Sequence, residues 1–154
     1  MTTTVARIEL TSRERDVLQG LADGSTIAAV ALNLKLREST ASGYLQLARR
    51  KLYGASETAE ALAAAYASEA IERPEPLDPE GLFLPREQRD LVPLIGQGMA
   101  AAQMATTLKR PVEIVRRDGR DLLRNLRARN RAHVITRAWA YQVLTTEQVL
   151  AWLR

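Results

Sequence analysis

The chain has 154 residues, no cysteine, a single histidine (His133) and a net charge of +4, with 46% hydrophobic but only 5% aromatic residues. This composition permits a globular core of Leu, Ala, Val and Ile, in one domain or two small ones. It excludes disulfides, thiolate metal sites and a metal site built on histidine alone. No apolar run reaches the roughly 18 residues a membrane span needs, and no N-terminal stretch reads as a secretion signal. A soluble, cytoplasmic protein without a membrane partner is expected. Alanine and leucine favour helix, and no segment alternates as a strand does, so the fold class is all-α.

The first helix is announced by Thr11 and Glu14, which have the spacing of a capping box. It runs as an amphipathic segment through Asp23 and is stopped by Gly24, a residue suited to the left-handed C′ position. Further helices are predicted over about 26–34, 38–52 and, rich in alanine, 56–70. The segment Arg73-Pro74-Glu75-Pro76-Leu77-Asp78-Pro79-Glu80-Gly81 cannot continue a helix and marks a linker over 73–83. Beyond it helices are predicted over about 86–97, 100–108, 112–127 and 130–143. A last short helix is opened by Thr145-Thr146-Glu147-Gln148, with Leu150, Trp152 and Leu153 as its apolar face.

The two halves read as repeats, a pattern that decides the fold when present. Sliding the chain by 74 residues pairs Leu10 with Leu84, Arg15 with Arg89, Asp16 with Asp90, Gly24 with Gly98 and Ala31 with Ala105. The same offset pairs Leu34 with Leu108, Lys35 with Lys109, Arg50 with Arg124 and Leu52 with Leu126, without a gap. Charge is not shared equally. Residues 1–73 carry nine basic and nine acidic side chains, whereas residues 74–154 carry thirteen basic and nine acidic. The excess centres on Lys109, Arg110, Arg116, Arg117, Arg120, Arg124, Arg127, Arg129 and Arg131, a helical arginine cluster suited to phosphate.

Leu10-Thr11-Ser12-Arg13-Glu14-Arg15-Asp16-Val17-Leu18 resembles the opening of LuxR-type DNA-binding domains. The resemblance continues through Gly24, through Val30-Ala31-Leu32-Asn33-Leu34 in the positioning helix, and through Glu38-Ser39-Thr40-Ala41-Ser42 to Arg50-Lys51-Leu52 in the recognition helix. In the second half, Asn125-Leu126-Arg127-Ala128-Arg129-Asn130-Arg131-Ala132 is similar to the family's junction into its fourth helix. The resemblance implies two tandem four-helix helix-turn-helix units, over 1–72 and 84–154. It also implies a sequence-specific transcriptional regulator of double-stranded DNA whose recognition helices, about 38–52 and 112–127, enter the major groove.

By that resemblance the base-reading residues are Ser42, Gly43 and Gln46 in the first unit and Arg116, Arg117 and Arg120 in the second. Lys35, Arg49, Arg50, Lys51, Lys109, Arg124 and Arg127 are the candidate phosphate contacts, which position but do not specify. The family dimerises through its fourth helix. Leu62 and Tyr66, with Ala59, Ala63 and Ala70, and Ile135 and Trp139, with Val134, Ala138 and Val143, are the corresponding dimerisation candidates. Two arrangements stay open: a homodimer, or an intramolecular pseudo-dimer with its recognition helices about one DNA turn (~34 Å) apart. Arg37 and Pro111 stand where the family prefers a Ser or Thr cap. Gly119 stands where it has a buried aliphatic residue, which predicts a bend at Asp118-Gly119. The alternative reading is a protein-interaction adaptor or antagonist of a sigma factor, RNA polymerase or another regulator, since Leu47-Ala48-Arg49-Arg50-Lys51-Leu52 also resembles sigma-factor region 4. No nucleophile–base constellation or carboxylate pair points to an enzyme, and no cofactor or metal is implied.

Overall fold

The computed structural model describes residues 7–153; residues 1–6 and Arg154, which the expected units 1–72 and 84–154 include, lie outside them. Among the described residues all regular structure is helical. The helices are α1 (Ser12–Leu21), α2 (Ile27–Leu34), α3 (Glu38–Lys51), α4 (Thr58–Ala67), α5 (Arg86–Arg89), α6 (Leu91–Gly96), α7 (Ala101–Leu108), α8 (Val112–Leu126), α9 (Arg131–Ala140) and α10 (Thr146–Leu150). A 3₁₀ turn at Pro79–Gly81 interrupts the extended segment after α4.

Capping chemistry fixes the start of α1. The Thr11 hydroxyl accepts from the Glu14 N–H (3.3 Å), and Glu14 Oε1 accepts from the Thr11 N–H (2.9 Å). Glu14 has a second task. Its carboxylate is only 3% exposed and takes Lys51 Nζ at 2.7 Å, which ties the first turn of α1 to the last turn of α3. Burial works against the ionised carboxyl, but the hydrogen bonds from Lys51 and Thr11 and the Lys51 charge outweigh it, and the group lies below its ordinary value of 4.5. In the second half the corresponding positions, 74 residues on, hold Gln88 and Asn125. Asn125 Nδ2 donates to Gln88 Oε1, also at 2.7 Å. One crosslink is ionic and the other neutral, but each joins the same two turns.

The backbone shows the same offset. Lys35 and Lys109 end α2 and α7 in the left-handed region at φ 58° and 56°, and Tyr53 and Arg127 follow α3 and α8 at φ 60° and 54°. Gly24 and Gly98 sit at φ 85° and 79°, where an L side chain is strained. Each glycine is also closely covered. A Cβ on Gly24 would lie 2.9 Å from Arg129 Cβ, and one on Gly98 would lie 2.9 Å from Ser56 Oγ and Glu60 Oε1.

Several boundaries differ from the sequence expectation. Helix α1 ends at Leu21, so Gly24 belongs to the turn that follows rather than to the position directly after the helix. Helix α4 spans 58–67 rather than 56–70, and α9 spans 131–140 rather than 130–143. The helix expected over 86–97 is divided at Asp90 into α5 and α6. At Asp118-Gly119 α8 is not interrupted but runs continuously over 112–126. Val115, Asp118, Leu122 and Leu126 lie buried along one face of it, and that packed stripe keeps the helix intact against the weak preference of one glycine.

Helix α4 lies at the centre, against α1, α3, α6, α9 and α10. Ala59, Ala61, Leu62, Ala63, Ala64, Ala65, Tyr66 and Ala67 are all buried, on every side of the helix. A run of alanines makes this possible, because small side chains let neighbouring helices approach closely without overpacking. One apolar core therefore runs unbroken from Leu18 and Leu52 to Leu91, Leu122 and Ile135. A smaller cluster of Val17, Leu21, Val30, Ala31 and Ala41 closes the space beneath α1, α2 and α3. The Pro-rich segment is bound down rather than loose: the Leu77 N–H donates to the Ala140 carbonyl at 2.8 Å, and Arg73 Nε donates to the Tyr66 carbonyl at 2.9 Å.

The lowered Glu14 pKa carries a sign. A carboxylate stabilised in the folded state contributes stability above its unfolded pKa, and that contribution is lost as pH falls through the folded value. Glu14→Gln is expected to cost about 1–3 kcal/mol near neutral pH and to reduce the loss of stability below about pH 4.5. Urea unfolding of both proteins at a series of pH values checks both effects.

Candidate nucleic-acid interface

Helices α3 and α8 each bury one face and offer the other. On α3, Ala41 and Ala48 are fully buried, while Glu38, Ser39, Thr40, Gln46 and Arg50 are exposed. Ser42 and Gly43 are half-buried on the same helix, and a Cβ on Gly43 would meet nothing within 4 Å. Leu47, beside Gln46, is 42% exposed, a large apolar side chain in the open. Leu47 was not among the residues expected at the site, although its position four residues after Gly43 puts the two on one face of α3. On α8, Arg116, Arg117, Arg120 and Arg124 are exposed, and Arg127 follows the helix in the open. The N-caps of these two helices, Arg37 and Pro111, make no side-chain cap.

The candidate cations divide into held and open groups. Arg49 is committed internally, with Nε donating to the Ala55 carbonyl at 2.8 Å and its terminal nitrogen to the Ser56 carbonyl. Lys51 is held by Glu14. Lys35, Arg50, Lys109, Arg124 and Arg127 lie exposed. Arg116 lies 3.3 Å from Glu113, Arg117 lies 3.7 Å from Asp118, and Arg124 lies 3.5 Å from Asp121. Arg116 and Arg117 remain 53% and 60% exposed in these pairs. Such surface pairs are worth about 0–1 kcal/mol and are readily exchanged for a phosphate or a base edge. Asp118 differs: it is 5% exposed, and its Oδ2 makes no hydrogen bond.

The four dimerisation candidates meet one another inside this one chain. Leu62, Tyr66 and Ile135 are fully buried and Trp139 is half-buried. The Tyr66 hydroxyl lies 2.8 Å from Thr136 Oγ1, and the Tyr66 and Trp139 rings are 5.5 Å apart. At the entrance of α4 and α9, Glu57 Oε1 accepts from Arg131 Nε at 3.0 Å and from its terminal nitrogen at 2.8 Å, and that nitrogen also reaches the Met99 carbonyl at 2.6 Å. Positions 57 and 131 are counterparts at the offset of 74, so each end of the pair meets its own equivalent. A related contact joins Asn130 Nδ2 to the Gly24 carbonyl at 3.0 Å, while the counterpart of Asn130, Ser56, lies over Gly98, the counterpart of Gly24. The first contact thus joins positions 74 residues apart, and the second joins positions whose counterparts also lie together.

Family comparison bears on the first half. Residues 9–64 match the GerE model, described as bacterial regulatory proteins, luxR family. That stretch takes in α1, α2, α3 and the greater part of α4, so the match and the fold agree on one helix-turn-helix domain. The match ends at residue 64, inside α4. No curated protein and no solved structure matches the chain. No described helix is long and apolar enough to cross a membrane, and no cluster of metal-ligating side chains occurs among the described residues.

The Glu57–Arg131 pair generates a charge test. Glu57→Arg places two guanidinium groups together at the entrance of α4 and α9 and is expected to cost about 1 kcal/mol, since both sites are partly solvated. Adding Arg131→Glu restores the opposite-charge pair but not the bond to Met99, so the double variant should lie between. Thermal unfolding of the two variants and the parent protein measures the order.

Proposed function

We propose that this protein is a DNA-binding transcription regulator, not an enzyme, and that it presents both α3 and α8 to the major groove of double-stranded DNA. The observation that carries the reading is the coincidence of the luxR-family match over residues 9–64 with a helix, α3, whose outer face is open. A third helix of that kind reads base edges with its exposed side chains. The second half is read as a further unit of the same design. Its support is the recurrence at one offset of the second helix (27–34 and 101–108), the start of the third (38 and 112), the left-handed residues 35 and 109 and 53 and 127, and the crosslink between first and third helices.

On this reading Ser42, Gly43, Gln46, Arg116, Arg117 and Arg120 face the bases, and Lys35, Arg50, Lys109, Arg124 and Arg127 face phosphates. Arg49 and Lys51 hold α3 in place from within. The two units act as an intramolecular pseudo-dimer, because the fourth-helix faces that the family uses between chains are spent here on α4 against α9. Two-fold readers of this kind bind half-sites about one turn of DNA (~34 Å) apart, which is the spacing this reading requires of α3 and α8, and the duplex is the partner.

Phosphate contacts leave a particular trace in salt dependence. The logarithm of affinity should fall linearly with the logarithm of salt concentration, at about 0.9 per phosphate neutralised. Lys109→Ala/Arg124→Ala should weaken duplex binding about equally on all sequences and reduce that slope by about two. Fluorescence anisotropy on labelled duplexes across a salt series reads both quantities, and a flat salt dependence in the parent protein would refute the reading.

A further inference from the structure

If the two third helices stand on equivalent scaffolds, the residues at equivalent positions can be compared as readers. Ser42, Gly43, Gln46 and Leu47 on α3 correspond to Arg116, Arg117, Arg120 and Asp121 on α8. Gln46 and Arg120 are both exposed, at the same turn of their helices. Leu47 is 42% exposed beside Gln46, and Asp121 is 38% exposed beside Arg120.

The chemistry of these pairs differs in one consistent direction. Glutamine satisfies adenine, giving one hydrogen bond to N7 and taking one from the N6 amine, and an apolar side chain packs on the thymine methyl. Arginine forks onto guanine O6 and N7, and an aspartate accepts from the cytosine N4 amine. Gln46 and Leu47 are each thus suited to A·T pairs, and Arg120 and Asp121 each to G·C pairs. The small residues before Gln46 let α3 lie close to the bases, while Arg116 and Arg117 add further guanine-directed forks on α8.

We infer that the protein recognises a bipartite duplex of unlike halves, an A·T-specified half beneath α3 read by Gln46 and Leu47 and a G·C-specified half beneath α8 read by Arg120 and Asp121. The inference rests on the function proposed above and adds to it the identity of the target. It makes Leu47 and Asp121 specificity-determining residues and excludes a palindrome as the preferred site.

The test is selection of bound duplexes from a pool randomised over about 24 base pairs, using the full chain at low salt. The expected consensus is asymmetric, with A·T pairs fixed in one half and G·C pairs in the other. Arg120→Gln/Asp121→Leu should turn the G·C half towards A·T, with a change of about 5-fold to 150-fold per base pair in mobility shifts. Gln46→Arg should move the other half towards guanine, and it tests the assignment even if the α8 variant loses helix content by circular dichroism. A self-complementary consensus, or a consensus unchanged in Gln46→Arg, overturns the inference. Duplex binding with no base preference also overturns it but leaves the proposed DNA binding standing, whereas recovery of no duplex at all sinks both.

Discussion

The packing of α4 on α9 constrains everything else in this molecule. Eight of the ten residues of α4 are buried, on all sides, and the helices against it come from both ends of the chain. Alanine makes this contact close, and Tyr66, Trp139 and Thr136 make it specific. A helix enclosed in this way cannot turn a dimerisation face to a second copy. It can set how α1–α3 and α5–α8 stand relative to each other. Close-packed interiors do not deform continuously, so the separation of α3 and α8 is as rigid as the core beneath them.

The electrostatics divide along the same line. Charges that hold the fold are buried or doubly bonded: Glu14 with Lys51, Glu57 with Arg131, and Arg49 with the carbonyls after α3. Charges left for a partner are exposed and held, if at all, by short-range pairs on their own helix. On the proposed pseudo-dimer reading this has a consequence for specificity. In a homodimer across the same faces Glu57 would meet Glu57, or Arg131 would meet Arg131, and either pairing repels, so opposite charges at these positions would favour pairing within the chain.

Much of the fold was legible in the sequence because the signals were local. The Thr11–Glu14 box, the Thr145–Gln148 box, the glycines at 24 and 98 and the prolines at 74–79 each act within a few residues, and the structure places an element boundary at or near every one. The offset of 74 was legible because it needs no gap, and the left-handed residues at 35 and 109 and at 53 and 127 fall on it. What was not legible depended on tertiary contact. Ala59, Leu62, Ala63 and Tyr66 read as one face for a partner, but α4 is buried all round, and that follows only from what packs on it. Lys51 and Arg49 read as surface cations like Arg50, and nothing in the chain order tells which of them finds Glu14 or the carbonyls of 55 and 56. Gly119 weakens helix preference locally, but the packed stripe of Val115, Leu122 and Leu126 carries α8 through it without a break. At the site, the arginines of α8 were evident from charge alone, whereas Leu47 became visible only once its exposure was known.

The central claim is that one chain supplies both reading helices. The direct measurement is the mass of the protein–duplex complex, by light scattering or native mass spectrometry, on a duplex long enough for two half-sites about one turn apart. One chain bound per duplex, protecting both halves in a footprint, is the predicted result. Two chains per duplex, each protecting one half, would contradict the account.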